Sequence, residues 1–226
     1  MMLEHTDKQY EKELAELKSA ILKMGGMVEQ MVGASMRSLI EKDTRIAEMA
    51  VEQEPHVNQL EMDIDARCLS ILALRQPAAY DLRFILTGIK ISKDLERMGD
   101  LAINIRSEAK KLNEQAPLKP YVDLPKMSGL AQSMVKQSLD AFVTQDTELA
   151  KTVLAMDDGV DDLKYKIQQD LIEVMSKDPS TIERAMGLLT IARHVERVGD
   201  IATNIAELVV FLVEGKDIRH QGKHQP

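Results

Sequence analysis

Two short elements, Glu96-Arg97-Met98-Gly99-Asp100 and Glu196-Arg197-Val198-Gly199-Asp200, each set two carboxylates four residues apart. On a helix that spacing leaves them about 40° apart on one face. Like charges so placed destabilise a helix by about 0.2–0.5 kcal/mol, so their occurrence twice asks for a reason. A divalent cation supplies one, because stacked carboxylates offer oxygen ligands to a hard ion. Asn104 and Asn204 extend the same faces by one turn and each adds a carbonyl oxygen. A second stripe, Glu54, Asn58, Glu61 and Asp65, falls within about 60° on a helical wheel. Its counterpart later in the chain reads Asp157 and Asp161, then Lys164 and Gln168, so the first half is richer in ligands. Lys93, Arg97, Arg193 and Arg197 lie on or beside these faces. A solvated ion-pair surface therefore stands as the alternative, and spacing alone leaves both readings open.

The ligand types narrow the metal. No His or Cys falls on the stripes, and His194 points roughly 160° away from Glu196. A closed zinc site is disfavoured, and Mg, Mn, Fe or Ca suit such oxygen donors better. His220 and His224 belong to a polar tail beyond Gly215. Carboxylate-bridged di-iron chemistry needs Glu-x-x-His on two helices, and the chain contains no such motif. It has no Walker loop either, and no nucleophile paired with a positioned base. Neither a catalytic residue nor an organic cofactor is expected. No glycine-rich anion-binding loop is visible. Cys68, the single cysteine, sits among Leu69, Ile71 and Leu72 and reads as a small buried hydrophobe.

The net charge of -8, from acidic residues spread along the chain, argues against nucleic acid, whose binding needs a basic surface. Cations and basic protein patches are the partners such a surface attracts. Residues 1–12 are charged without an apolar run, and no stretch approaches the ~18 apolar residues that span a bilayer. A soluble, cytoplasmic protein without membrane insertion is expected.

The elements that must hold these carboxylates come from a repeat. KDTRIA (42–47) aligns with QDTELA (145–150) at an offset of 103, which also pairs Met31 with Met134 and Ile64 with Ile167. Farther on the offset is 100, where KDLERMGDLAINI (93–105) lies over RHVERVGDIATNI (193–205) with seven identities in thirteen positions. An apolar fraction of 44% with 3% aromatics, 14 Met and no Trp suits interlocking helices rather than a β-sandwich. The expected fold is all-α, two tandem three-helix bundles. The boundaries expected are 1–114 for the first, a proline-containing linker at 115–125, 126–215 for the second and a tail at 216–226. Asp43 and Asp146 read as N-caps opening the second helix of each half, Pro77 and Pro179 as the next turns, and Gly215 as a C-terminal stop. Val57, Leu60, Ile64 and Ile71 form one apolar stripe, matched by Val153, Met156, Val160, Leu163 and Ile167. Gly25, Gly26, Gly99 and Gly199 each cost about 1 kcal/mol inside a helix, and close helix approach is the reason expected for keeping them.

The segments MGGMVEQ (24–30), RQPAAYDLR (75–83), LERMGD (95–100), ARHVERVGDIATNIAE (192–207) and EGKDIRH (214–220) resemble the PhoU family across nearly the whole chain, the paired ERxGD elements most specifically. The resemblance implies a cytoplasmic, often dimeric adaptor that restrains the phosphate-starvation response. Its implied partners are the ATPase subunit of the phosphate ABC transporter and a sensor histidine kinase. It further implies metal clusters on an acid-x-x-x-Asp motif. Glu61 with Asp65, Glu96 with Asp100, Asp157 with Asp161 and Glu196 with Asp200 match that motif here. Asn58 after Glu54, and Lys164 with Gln168, depart from it.

Overall fold

The computed structural model describes residues 8–77, 79–118 and 122–218. Six long helices fill it in the order α1 (Lys8–Ile40), α2 (Glu48–Arg75), α3 (Ala79–Asn113), α4 (Asp123–Thr144), α5 (Thr147–Lys177) and α6 (Ile182–Glu214). Within each half every helix touches the other two, giving two three-helix bundles. The all-helical repeat fold expected from sequence is the fold observed. Among the described residues, no helix is long and apolar enough to cross a membrane.

Local chemistry sets most ends. Asp146 lies extended before α5, and its carboxylate accepts from the Glu148 and Leu149 backbone N–H groups at 2.9 and 3.0 Å. That occupies donors a helix start leaves orphaned. Asp43 acts one step earlier than expected. It caps the 3-10 turn Thr44–Ala47 through Arg45 N–H, and α2 begins only at Glu48 with no side-chain cap. Gly215 ends α6 at φ 70, donating to Phe211 O at 2.9 Å, the left-handed stop for which glycine is suited. The first helical residue of α4 is Asp123, so Pro125 sits in its first turn, where a missing N–H costs nothing. Pro55 lies inside α2, a position the periodicity does not disclose. His220 and His224 lie outside the described residues.

The expected apolar stripes are the buried ones. Val57, Ile64 and Ile71 on α2, and Val153, Val160 and Ile167 on α5, enter the core, with Leu60, Met156 and Leu163 at its margin. One cluster of buried residues draws on all six helices, so the two bundles share a core. Across the junction the halves meet like with like, α1 on α4 and α3 on α6. Helices α3 and α6 run antiparallel there. Arg83 Nε donates to Leu212 O at 3.0 Å near one end, and Leu112 lies over Gly187 near the other. The Phe84 and Phe142 rings stack at 5.6 Å between the halves. Gly25 is a close-approach glycine, since a Cβ there would meet Leu139 Cδ1 at 2.4 Å. Gly26 is not, having open space beside it, while Gly99 and Gly199 make ordinary contacts with Val57 and Val160.

Candidate acidic site on the second and third helices

Helix α2 runs antiparallel to α3. Glu48 pairs with Arg106 at 2.9 Å, Val57 meets Gly99, and Cys68 Sγ lies 3.8 Å from Ile85 O. The apolar stripe of α2 faces the core, so the adjacent acidic stripe emerges along the α2–α3 seam. Glu54, Asn58, Glu61 and Asp65 are all half-buried, as a seam position demands.

In the first half, the seam brings Glu61 of α2 to Glu96 of α3. Burial first, then Asp100 and Glu61, push the Glu96 carboxyl above its ordinary value, against the opposing pull of Lys93 and Arg97. Lys93 Nζ reaches Glu61 at 3.7 Å from an exposed position. One oxygen of Asp65, Oδ1, is buried and accepts no hydrogen bond. Glu54 and Asn58 lie one to two turns away, toward the end of α3 that carries exposed Asp100 and Asn104. Arg97 is drawn off this face by Asp94, 3.5 Å away, a buried carboxyl that burial raises against the opposing Arg97 guanidinium.

In the second half one position of the same seam changes sign. Lys164 occupies the place of Glu61 and Gln168 that of Asp65. Lys164 Nζ donates to Glu196 Oε1 at 2.5 Å, in a pair whose side chains are 35% and 18% exposed. Asp161 and Asn204 are exposed, Asp157 and Asp200 half-buried, and the Asp200 carbonyl accepts from the Thr203 hydroxyl at 2.7 Å.

These donor sets differ in their fit to a metal ion. The first seam offers Glu96, its carboxyl pushed up by burial and by neighbouring Asp100 and Glu61, and an orphaned carboxylate oxygen of Asp65, which is what a hard cation relieves. In the second, Lys164 already pairs with Glu196. Among the described residues, no three His, Cys, Asp or Glu side chains stand together in ligating geometry. The expected eight-residue set is therefore not drawn into clusters in this structure. Sequence reasoning named the faces but missed the Lys164–Glu196 pair, although the repeat offset that superposes Lys164 on Glu61 contained the signal.

Other polar features are structural. Burial, then Asp65, pushes the Cys68 thiol up to about 12, which fits the small buried hydrophobe expected. Tyr10 OH donates to Asp81 Oδ2 at 3.1 Å, and Arg75 Nη2 reaches Glu13 at 2.7 Å, tying the start of α1 to the α2–α3 turn. An open cleft of about 400 Å³ between α1, α2 and α4 mixes Glu29 with Arg37, Gln30 and Gln132, which is not an anion pocket.

With this geometry in place, the comparisons with known proteins are specific. The PhoU domain model matches residues 21–109 and again 124–209, one match to each bundle. A protein from Pseudomonas putida described as "Phosphate-specific transport system accessory protein PhoU homolog" is 40% identical over 96% of this chain and 86% of its own length. One of the same description from Aquifex aeolicus is 42% identical over 93% and 95%. Among solved structures, PhoU from Pseudomonas aeruginosa superposes with a TM-score of 0.88 at 39% identity, over 92% of this chain and all of that one. The phosphate transport system regulatory protein PhoU from Streptococcus pneumoniae gives 0.85 at 29% identity, over 92% and 98%. A duplicated three-helix unit with an acidic seam in each copy, matched twice by one domain model and along nearly its full length by these relatives, places the chain in the PhoU family.

Proposed function

We propose that this chain is a cytoplasmic, non-catalytic accessory regulator of a phosphate transport system. It links the ATPase subunit of the transporter to a sensor histidine kinase, so that ample phosphate keeps the starvation response off. The observation that carries this reading is the near full-length similarity to relatives described as accessory proteins of phosphate-specific transport. The molecule suits such a role. It has long rigid helices, two equivalent halves, and acidic seams at the surface rather than a reaction centre. Deleting the gene is expected to make alkaline phosphatase expression constitutive in phosphate-rich medium, with repression restored by the intact chain. Unchanged repression in the deletion strain overturns the assignment.

A cation at the first seam is a second element of the reading, favoured by the contrast between Glu61 facing Glu96 and Lys164 pairing with Glu196. Glu61, Asp65, Glu96 and Asp100 are the residues to hold it, with Glu54 and Asn104 at the margin. Bound there, an ion such as Mn, Fe or Mg supplies positive charge that ties α2 to α3. Metal analysis of protein purified without chelator, with thermal melting in added Mn, separates this from a purely ionic scaffold. Neither bound metal nor a melting gain removes the cation and leaves the regulatory role standing.

A further inference from the structure

Large apolar side chains exposed one at a time are ordinary on a soluble protein. Here they recur in register. Leu69 and Ile172 are both exposed and 103 residues apart, while Leu82 with Ile182 and Leu86 with Met186 are both exposed and 100 apart. Those are the two offsets of the internal repeat. Met62 and Tyr165, at 55% and 64% exposure, make a fourth matched pair. Chance scatter does not reproduce the repeat.

Each set gathers at one place. Four residues separate Leu82 from Leu86, and fourteen separate Leu82 from Glu96, so all three share the outer face of α3. The antiparallel register, in which Cys68 reaches Ile85 O, brings Leu69 of α2 level with Leu86. Seven residues before Leu69, Met62 continues the stripe up α2 on the side of the acidic seam away from the core. The repeat places Ile172, Ile182 and Met186 in the same way at the α5–α6 turn. Each bundle thus presents an apolar knob at its second hairpin, with an acidic helix leading away from it.

Charge says what covers these knobs. Helix α2 holds six acidic against two basic residues, and α5 seven against four. Together they carry seven of the chain's eight net negative charges. Pairing either of these ridges with the same ridge of a second copy sets like charge against like. A partner with basic residues flanking an apolar stripe meets no such penalty.

We infer that each repeat carries one docking face, the α2–α3 knob with the acidic ridge of α2 and the α5–α6 knob with that of α5, and that each face takes a basic amphipathic helix of a partner protein. This rests on the proposed role in phosphate transport and specifies the surface through which it is exercised. Two equivalent faces let one chain engage two copies of the same basic helix, which raises the apparent affinity for a dimeric partner.

The test titrates the full chain with the purified ATPase subunit of the transporter, at 50 and at 500 mM NaCl (about 14 and 4 Å of Debye length). The variants are Leu69→Ser with Leu86→Ser, Ile172→Ser with Met186→Ser, all four together, and Ile40→Ser as an exposed, unmatched control. All the altered side chains are exposed, and unchanged melting temperatures verify folding. Each double variant is expected to bind tenfold or more weakly and the fourfold variant a hundredfold or more weakly. The control should stay within twofold, and high salt should weaken the unaltered chain about tenfold. Unaltered protein that binds no ATPase subunit sinks the transport reading and this inference with it. Binding that survives all four substitutions sinks the inference alone, as does sedimentation showing that they convert a dimer to a monomer.

Discussion

At the scale of single residues, the decisive comparison is position 61 with position 164. The repeat makes them equivalent, yet one is Glu and the other Lys. Glu61→Lys is expected to place an ammonium opposite Glu96, as Lys164 stands opposite Glu196. The gain is about 0.5–1 kcal/mol for a part-exposed pair, partly offset by the lost contact with Lys93. Calorimetry should show a melting point 1–3 °C higher, since about 1 kcal/mol moves Tm by about 2–4 °C at this size. If a cation occupies the first seam, the same variant should lose any stabilisation by added Mn. Lys164→Ala should lower Tm by a similar amount with no dependence on metal. The acidic faces themselves were legible from spacing, because a helical wheel fixes which side chains share a face. Which charge lies across the seam was not, because a wheel describes one helix and the Lys164 ammonium reaches Glu196 only through the packing of two. Cys68 was legible for the opposite reason, its neighbours in sequence being apolar. Burial raises its thiol to about 12, so at pH 7.5 N-ethylmaleimide should label it only after denaturation, and rapid labelling of the native chain contradicts the burial.

At the scale of elements, caps and breakers decide where helices begin and what they cost. Asp146 satisfies two backbone donors of α5 without competing partners. Asp146→Ala is therefore expected to cost about 1 kcal/mol, read as a 2–4 °C fall in Tm. Its repeat mate Asp43 has a divided role, capping a 3-10 turn while pairing with Arg45 at 2.7 Å in an exposed position. The identical sequence signal, an Asp before Thr, thus opens an α-helix in one repeat and a 3-10 prelude in the other. The difference lies beyond the reach of local sequence, because the α2 start also packs on α1 and α3. Pro55 escaped the periodicity for a related reason. Apolar spacing continues undisturbed through it, while its cost is a missing hydrogen bond to residue 51 rather than a misplaced side chain. Pro55→Ala should stabilise the chain by about 1–3 kcal/mol if α2 gains nothing from the break. A loss of stability instead would mean that the proline is needed to lay Glu54 and Asn58 along the seam.

At the scale of the whole molecule, the repeat predicts two bundles but says little about how they share a core. Their joint burial follows from small residues and side chains that match only across the junction, such as Gly25 against Leu139 and Gly187 against Leu112. His194 belongs to this junction. It is half-buried on α6, its Nδ1 is buried without a hydrogen-bond partner, and its pKa is held below the ordinary value. Burial is the first cause, followed by Arg197; Glu108 of α3 opposes the shift and Arg193 adds to it. A depressed histidine stabilises the fold while neutral, above its unfolded value near 6.5. As pH falls below that, the unfolded chain takes up a proton that the folded chain resists, and this contribution is lost through the folded value. Relative to His194→Gln, the unaltered protein should therefore lose melting temperature progressively between pH 7 and pH 5. Carboxylates titrate in both proteins, so the difference between the two curves isolates His194. Parallel curves would mean that the imidazole reaches water in the folded state. Because the two halves share one core, the loss should appear as a shift of a single unfolding transition, and a separate early transition of one half would contradict that sharing.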